Sequence, residues 1–286
     1  MTDTPQRDSV IRAITDDGSF RVITLRTHDL VQEAIERQGV EGNDARLFGE
    51  LLTGAILVRE TMSPGNRVQA ILSGVDGVSL VADSWPDAGR TRGLVSRDDP
   101  AKHIVLGEGA ILKVIRTLPR GELHQSIVEA DSSGVSEALM GYMQNSEQVM
   151  STIRVACVVE GGRVVTSGGY IVQLLPECQR EPLMVMTERL ADFSYLDNIL
   201  LRDDANPTTL VGELLYGFPH SLLSSEPCSF GCDCSEERVM GALITIPRDE
   251  IASMVARSEL IELKCEYCKT PYSIAPRRLL NLLTPA

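Results

Sequence analysis

At 286 residues, 43% of them hydrophobic, the chain exceeds a typical single domain and can bury a sizeable core. Forty acidic against twenty-seven basic residues leave a net charge of -13, which repels nucleic-acid backbones and anionic membranes unless a local basic patch overrides it, and the sequence shows no such patch. No apolar run reaches the 18 residues of a membrane span, and the polar start "MTDTPQRDSVIRAITDDG" has no apolar signal region, so the expected compartment is the cytoplasm.

From Ser19 to about Leu175 the chain reads as mixed α and β. The runs "FRVITLRT", "RVQAILSG", "VSLVAD", "AILKVIRTL", "HQSIVEA", "STIRVACVV" and "RVVTSGGYIVQLL" have the β-branched and apolar residues of half-buried strands. Val75-Asp76-Gly77-Val78 and Glu160-Gly161-Gly162 read as hairpin connections, which predicts a meandering, mostly antiparallel sheet. Helices interrupt it at 29–38, 43–62 and 135–149. The second of these carries "LFGELLTGAILV", too short to span a bilayer and bearing Glu50, so it reads as a buried helix. Its Gly49, Gly54 and Ala55 admit the close approach of another element, which places it at the centre of the core.

After Pro176 the texture changes. Residues 179–227 hold eight Asp or Glu against three Arg and no Lys, yet are rich in Leu and Met. "TERLADFSYLDNILLR" places Leu190, Phe193, Leu196 or Asp197, and Leu200 near one face, with Thr187 as its N-cap, and "TTLVGELLYG" makes a second short helix. This is an amphipathic helical connector. In the tail, 228–286, Ser235 caps a helix over 235–244, and Pro247 opens another over 247–258 with Ile251, Met254 and Val255 on one face. The predicted class is α+β: an N-terminal mixed domain (1–178) with a mostly antiparallel sheet packed by helices, a helical linker (179–227), and a small C-terminal zinc-binding domain (228–286).

Five of the seven cysteines fall in that tail. Cys232, Cys234, Cys265 and Cys268 form C-x-C and, thirty residues on, C-x-x-C within a strand-turn-strand knuckle ending at Tyr272 and Ile274. Four thiolates complete a tetrahedral zinc shell and favour Zn²⁺ over Mg²⁺ or Ca²⁺, with an iron-sulfur centre as the lesser competitor; a filled shell leaves no position for a hydrolytic water. A permanent structural zinc ribbon remains open on spacing alone. Against it, two thiols two residues apart close a disulfide only with backbone bending, and strained, exposed disulfides are the labile, regulatory ones. The tail has few large apolar groups, so zinc would supply much of its folding energy, and oxidation of the ligands would unfold it and free an apolar surface of the connector. Cys228 reads as a spare thiol that could enter the metal shell or a mixed disulfide, Cys157 as a buried core residue, and Cys178 as an uncommitted thiol at the domain edge.

The "CDC...CEYC" tail, with "LFGELLTGAILVRETM", "HQSIVEADSSGVSEALMGYMQNSEQV" and "GGYIVQLLPE", resembles the redox-regulated 33-kDa heat-shock chaperones (33-kDa chaperonins) of bacteria over nearly the whole chain. The resemblance implies a client-binding N-terminal domain, a helical linker and a zinc redox switch. It implies a form that is inactive when reduced with one Zn²⁺ on Cys232, Cys234, Cys265 and Cys268. Oxidation and heat would expel the zinc and form the disulfides Cys232-Cys234 and Cys265-Cys268. The oxidised form would dimerise and hold unfolding proteins without ATP, as a chaperone and not an enzyme; the absence of a G-x-x-x-x-G-K-[ST] loop agrees.

Two other readings compete. A nucleic-acid-binding zinc ribbon is disfavoured by a tail with seven Lys or Arg against eight Asp or Glu. A thiol-disulfide oxidoreductase built on Cys265-Glu266-Tyr267-Cys268 needs a helix after the pair, whereas "PYSI" reads as a strand. His28, His103, His124 and His220 are scattered and suggest no catalytic dyad.

Overall fold

The computed structural model describes residues 7–86, 89–243, 247–257, 260–275 and 278. They fall into two compact units, the first ending at Gly231 and the second beginning at Cys232. In chain order the first unit runs β1 (Ser9–Thr15), β2 (Phe20–Arg26), α1 (His28–Gln38), α2 (Gly42–Glu60), β3 (Arg67–Ser73), β4 (Ser79–Ser84), β5 (Arg90–Ser96), β6 (Ile111–Thr117) and β7 (Leu123–Glu129). It continues through α3 (Val135–Tyr142), a π-helical turn (Met143–Glu147), β8 (Ser151–Glu160), β9 (Arg163–Leu174), α4 (Arg180–Asp192), α5 (Leu196–Leu200), α6 (Pro207–Leu214), β10 (His220–Pro227) and β11 (Ser229–Phe230).

The strands make two sheets, ordered β10-β1-β2-β9-β8 and β11-β5-β4-β3-β6-β7. All pairings are antiparallel except β11 with β5. The β8–β9 hairpin turns at Gly161 and Gly162 with φ of 56° and 77°, the paired positive values that a two-residue hairpin turn demands and glycine accepts without penalty.

Helix α2 packs on β8 and β9 of one sheet and on β3 and β4 of the other. Leu47, Phe48, Leu51, Leu52, Ile56 and Leu57 are all fully buried, so this helix is apolar around its whole circumference and must be surrounded. Its glycines meet neighbours directly: a Cβ on Gly49 would press on Cys157 and lie 2.8 Å from Val31 Cγ1, and one on Gly54 would collide with Leu139. Strand β2 is apolar on both faces. Ile23 and Leu25 join the core around α2, whereas Phe20 and Val22 point the other way, with Ile11, Ala13, Tyr170 and Val172. This outer face is covered by Met186 and Phe193 at α4, Leu196 of α5, and Leu210, Val211 and Leu214 of α6.

The α+β class, the mostly antiparallel pairing, and the helices from α1 to α3 match the expectation, with two sheets in place of one. The strands β1, β5 and β10 were not anticipated. Arg90 and Arg92 interrupt the apolar alternation of β5, and β10 exposes both Leu222 and Leu223 and ends in proline, the habit of an edge strand. Residues 179–227 belong to the first compact unit, where their apolar side chains meet the outer face of a sheet. Helix α4 begins at Arg180, so Thr187 is an interior residue and not a cap; its hydroxyl donates to the Leu183 carbonyl at 2.8 Å. Leu196 is the buried member of its pair, and Asp197 is exposed.

Two of the buried carboxyls of this unit, Glu50 and Asp8, are pushed upward. Burial raises Glu50 to about 7 despite an ion pair with Arg46 at 2.6 Å, and raises Asp8 to about 6 although the Leu30 amide and Arg26 bond to it.

Gly49→Ala should lower the urea-unfolding midpoint. The helix-propensity gain of about 1 kcal/mol is outweighed by overpacking of about 1–3 kcal/mol, read through the fluorescence of Trp85, the chain's single tryptophan. A raised folded-state pKa on an acid means stability that is complete below the unfolded value and lost as pH rises through the folded one. The Trp85-monitored unfolding midpoint should therefore fall as pH climbs from about 5 to 8. Glu50→Gln should flatten that slope by an amount on the order of 3 kcal/mol; an unchanged slope would refute the assignment.

Candidate metal centre

The second unit contains α7 (Glu236–Leu243), α8 (Arg248–Ala256), β12 (Ile261–Lys264) and β13 (Pro271–Ile274). Ser235 caps α7 as expected, its hydroxyl accepting the Arg238 amide at 3.3 Å, and α8 begins directly after Pro247. Ile244 and Ser258, expected at the ends of these helices, and the side chain of Met254 lie outside the described residues; Val255 is half-buried. Among the described residues of this unit only Ile251, Cys268 and Ile274 are buried. Such a count is far short of an independent core.

Strands β12 and β13 form an antiparallel hairpin in which Leu263 faces Tyr272 and Lys264 faces Pro271. Cys265 and Cys268 lie in its turn, which is closed by Lys269 N–H to the Cys265 carbonyl at 2.8 Å and Cys265 N–H to the Thr270 carbonyl at 3.0 Å. Lys269 adopts φ of 58°, the left-handed conformation that bends the knuckle back on itself. Cys232 and Cys234 approach from the irregular segment before α7. All four sulfurs lie within 4.8 Å of one another, with Cys232 to Cys265 at 3.8 Å and Cys234 to Cys268 at 3.2 Å.

A tetrahedral zinc with Zn–S bonds of about 2.3 Å separates its sulfurs by about 3.8 Å. The cluster is therefore of the right size, and its all-sulfur donor set suits a soft metal ion. The Tyr272 hydroxyl donates to Cys234 Sγ at 3.1 Å, and the Thr270 hydroxyl lies 3.1 Å from Cys268 Sγ. Burial opposes ionisation of Cys268, but hydrogen bonds from the Thr270 hydroxyl and amide and from the Cys234 and Cys265 thiols outweigh it and lower this thiol to about 6. Cys234 moves the opposite way, pushed up to about 12 by burial and by donating to its neighbours. A bound cation would have to displace the protons that remain on the cluster.

The structure brings together all four cysteines that the spacing selects and leaves the other three outside. Cys157 is buried in the core around α2, where burial raises it to about 12. Cys178 is half-buried at the edge of the outer core, its thiol 3.3 Å from the Gln179 carbonyl. Cys228, which the sequence groups with the tail, lies in the first unit: it is buried, its thiol donates to the Arg26 carbonyl at 3.3 Å, and its amide to the Asp8 carbonyl at 3.2 Å. Burial raises its pKa well above that of a free thiol. Residues 228–231 complete the first unit because β11 pairs with β5 and the Gly231 amide bonds to the Thr91 carbonyl. Tyr272 and Thr270 were not singled out as neighbours of the sulfurs; their placement depends on the hairpin register, which spacing does not specify. "PYSI" is a strand, so the C-x-x-C pair does not open a helix in the manner of a thioredoxin-type site.

An α+β unit joined to a small unit gathered around four thiols defines a protein with a cysteine-based metal or redox centre. The family model described as Hsp33 protein matches residues 8–275, and the chain belongs to that chaperone family. It is 30% identical to the 33 kDa chaperonin of Syntrophotalea carbinolica, over 97% of this chain and 99% of that one. It is 28% identical to that of Geobacter sulfurreducens, over 96% and 94% of the two chains. The crystal structure of the 33 kDa chaperonin from Thermotoga maritima shares the fold, with a TM-score of 0.83 at 22% identity over 97% of this chain and 98% of that one.

Tyr272→Phe removes a hydrogen bond to a ligand sulfur and should weaken zinc binding by about 10-fold or more, measured by competition with a chromogenic chelator. A strong chelator should abolish the helical signal of the second unit while the Trp85-monitored unfolding of the first stays unchanged.

Proposed function

We propose that this protein is a redox-regulated, ATP-independent holdase of the cytoplasm. The observation that carries the reading is the contrast between the four-sulfur cluster and the two buried described side chains outside it, Ile251 and Ile274: chemistry at the thiols decides whether the second unit is folded. A zinc ion bound to Cys232, Cys234, Cys265 and Cys268 would supply the folding energy that so small a core lacks. In that reduced state residues 179–227 stay packed on the outer face of the five-stranded sheet, and no client is held.

Hydrogen peroxide is the oxidant class that fits. Each peroxide would take two electrons from a pair of ligand thiolates and two protons from solvent, leaving as two waters, so two peroxides would convert four thiolates into two disulfides that can no longer hold the zinc ion. The pairs Cys232-Cys234 and Cys265-Cys268 follow the family resemblance and are supported by chain connectivity, because thiols two and three residues apart stay close after the unit unfolds. In the folded unit the short distances instead run across the knuckles, from Cys232 to Cys265 and from Cys234 to Cys268. Pairing within each knuckle is therefore a state that the reduced fold does not prefigure.

Release of the 179–227 segment would uncover Phe20, Val22, Tyr170 and Val172 and free Phe193, Leu196 and Leu210, a contiguous apolar surface suited to unfolded clients and to a second copy of the activated chain. Leu183, Met184, Val185, Tyr195 and Tyr216 of this segment are already exposed. The acidic chain and its nearly neutral tail speak against nucleic-acid binding, and no helix among the described residues is long and apolar enough to cross a membrane.

Zinc release, thiol loss and suppression of client aggregation should advance together during peroxide treatment at raised temperature. Equal suppression by the reduced, zinc-loaded protein would sink the switch. Peptide mapping of the oxidised chain should find Cys232-Cys234 and Cys265-Cys268; cross-knuckle bridges would refute that pairing.

A further inference from the structure

The two sheets of the first unit end in four edge strands, β10, β8, β11 and β7, and three of them are protected. Strand β10 breaks register with β1 between Arg12 and Ala13 and ends at Pro227. Strand β8 carries a register shift at Val158 and Val159, and its Val155 amide donates to the Ser136 hydroxyl at 3.1 Å. Strand β11 is only two residues long. Short length, bulges, proline and covering side chains are the devices that keep an edge from pairing with another chain. The fourth edge, β7, has none of them. Its seven residues pair with β6 without a break in register, and its sequence LHQSIVE holds no Lys, Arg or Pro. Leu123, Gln125, Ile127 and Glu129 are all exposed, Leu123 at 68% and Ile127 at 53%.

The hydrogen bonds at the two ends of the β6–β7 ladder fix the direction of the free backbone groups. Ala130 N–H donates to the Ala110 carbonyl and Leu118 N–H to the Glu122 carbonyl, both at 2.9 Å, so the even-numbered residues of β7 turn their amides and carbonyls toward β6. Leu123, Gln125, Ile127 and Glu129 turn theirs outward, and their side chains share one face of the sheet. No strand among the described residues takes these groups. The edge is open while residues 179–227 are packed in place, which is the state that holds no client in the proposed mechanism. Its own sequence supplies a better partner. A second β7, antiparallel and centred on Gln125, sets Leu123 opposite Ile127 of the other copy, Gln125 opposite Gln125, and Ile127 opposite Leu123. Each of these pairs exchanges two main-chain bonds, about six in all. On the other face His124 meets Ser126, and no pair opposes like charges. Neighbouring registers set Leu123 against Glu129 or against Gln125, so this one alone gives both exposed apolar residues an apolar partner.

We propose that β7 is a homodimer edge, through which two copies join their six-stranded sheets into one, independently of the switch at the cysteines. A contact of one strand falls below the ~1,200 Å² of a stable interface, so the dimer should be reversible, with a Kd on the order of 100 μM. Sedimentation equilibrium of the full-length, reduced, zinc-loaded protein from about 10 to about 500 μM should show this association. Ile127→Glu gains Lys113 of β6 as a partner in the monomer but faces Leu123 in the dimer, and should weaken association about 10-fold or more. Leu123→Lys should do the same. The two substitutions together place opposite charges across both outer pairs, and should restore association to within about 3-fold of the parent chain. A reduced chain that stays monomeric over this range, a single variant that dimerises like the parent, or a folded double variant that does not recover overturns the proposal. Dimers that form only after oxidation, or an extended apolar peptide that binds this edge of a monomer, also overturn it and leave the holdase reading standing.

Discussion

Burial of α2 on every side is the constraint from which the first unit follows. A helix apolar around its circumference needs two covering layers, and the two sheets supply them, with Gly49 and Gly54 permitting contacts that any side chain would block. Each sheet therefore turns an apolar face inward. The five-stranded sheet is also apolar on its outer face, and that second demand is met by the helices that follow β9.

The second unit is held by different physics. Among its described residues only Ile251, Ile274 and the cluster's own Cys268 are buried, and in the proposed mechanism its fold rests on what four sulfurs can hold. Apolar burial responds gradually to solvent and temperature, whereas ligation by thiolates is lost once the sulfurs are oxidised. A protein containing both kinds of stability can give up one unit chemically while the other stays intact.

The segment 179–227 gives that difference its use in the proposed mechanism. It is acidic and soluble in sequence, yet it contributes most of one side of the outer core, so it is a cover whose removal exposes two apolar faces at once. In the proposed mechanism the burial of Cys228 in the first unit would keep the fifth cysteine of the C-terminal stretch away from the reacting thiols.

Much of this is legible in the chain itself. Periodicity finds α1, α2 and most strands because burial on one or both faces leaves a direct mark on residue type, and the cysteine spacing selects the four cluster residues because ligation requires those side chains. It is less informative where side chains answer to neighbours distant in sequence. The arginines of β5 hide a strand because their partners, Asp83 and Trp85, are reached only through the pairing with β4 and its turn. Tyr272 meets Cys234 only through the hairpin register, and Arg12 reaches Glu60 only because β1 and the end of α2 converge. The sequence alone thus determined the class of fold and the identity of the four thiols. The tertiary structure decided that Cys228 belongs to the core and that 179–227 covers the outer face of a sheet, because contacts between distant segments are a property of packing and leave no periodic trace in the chain.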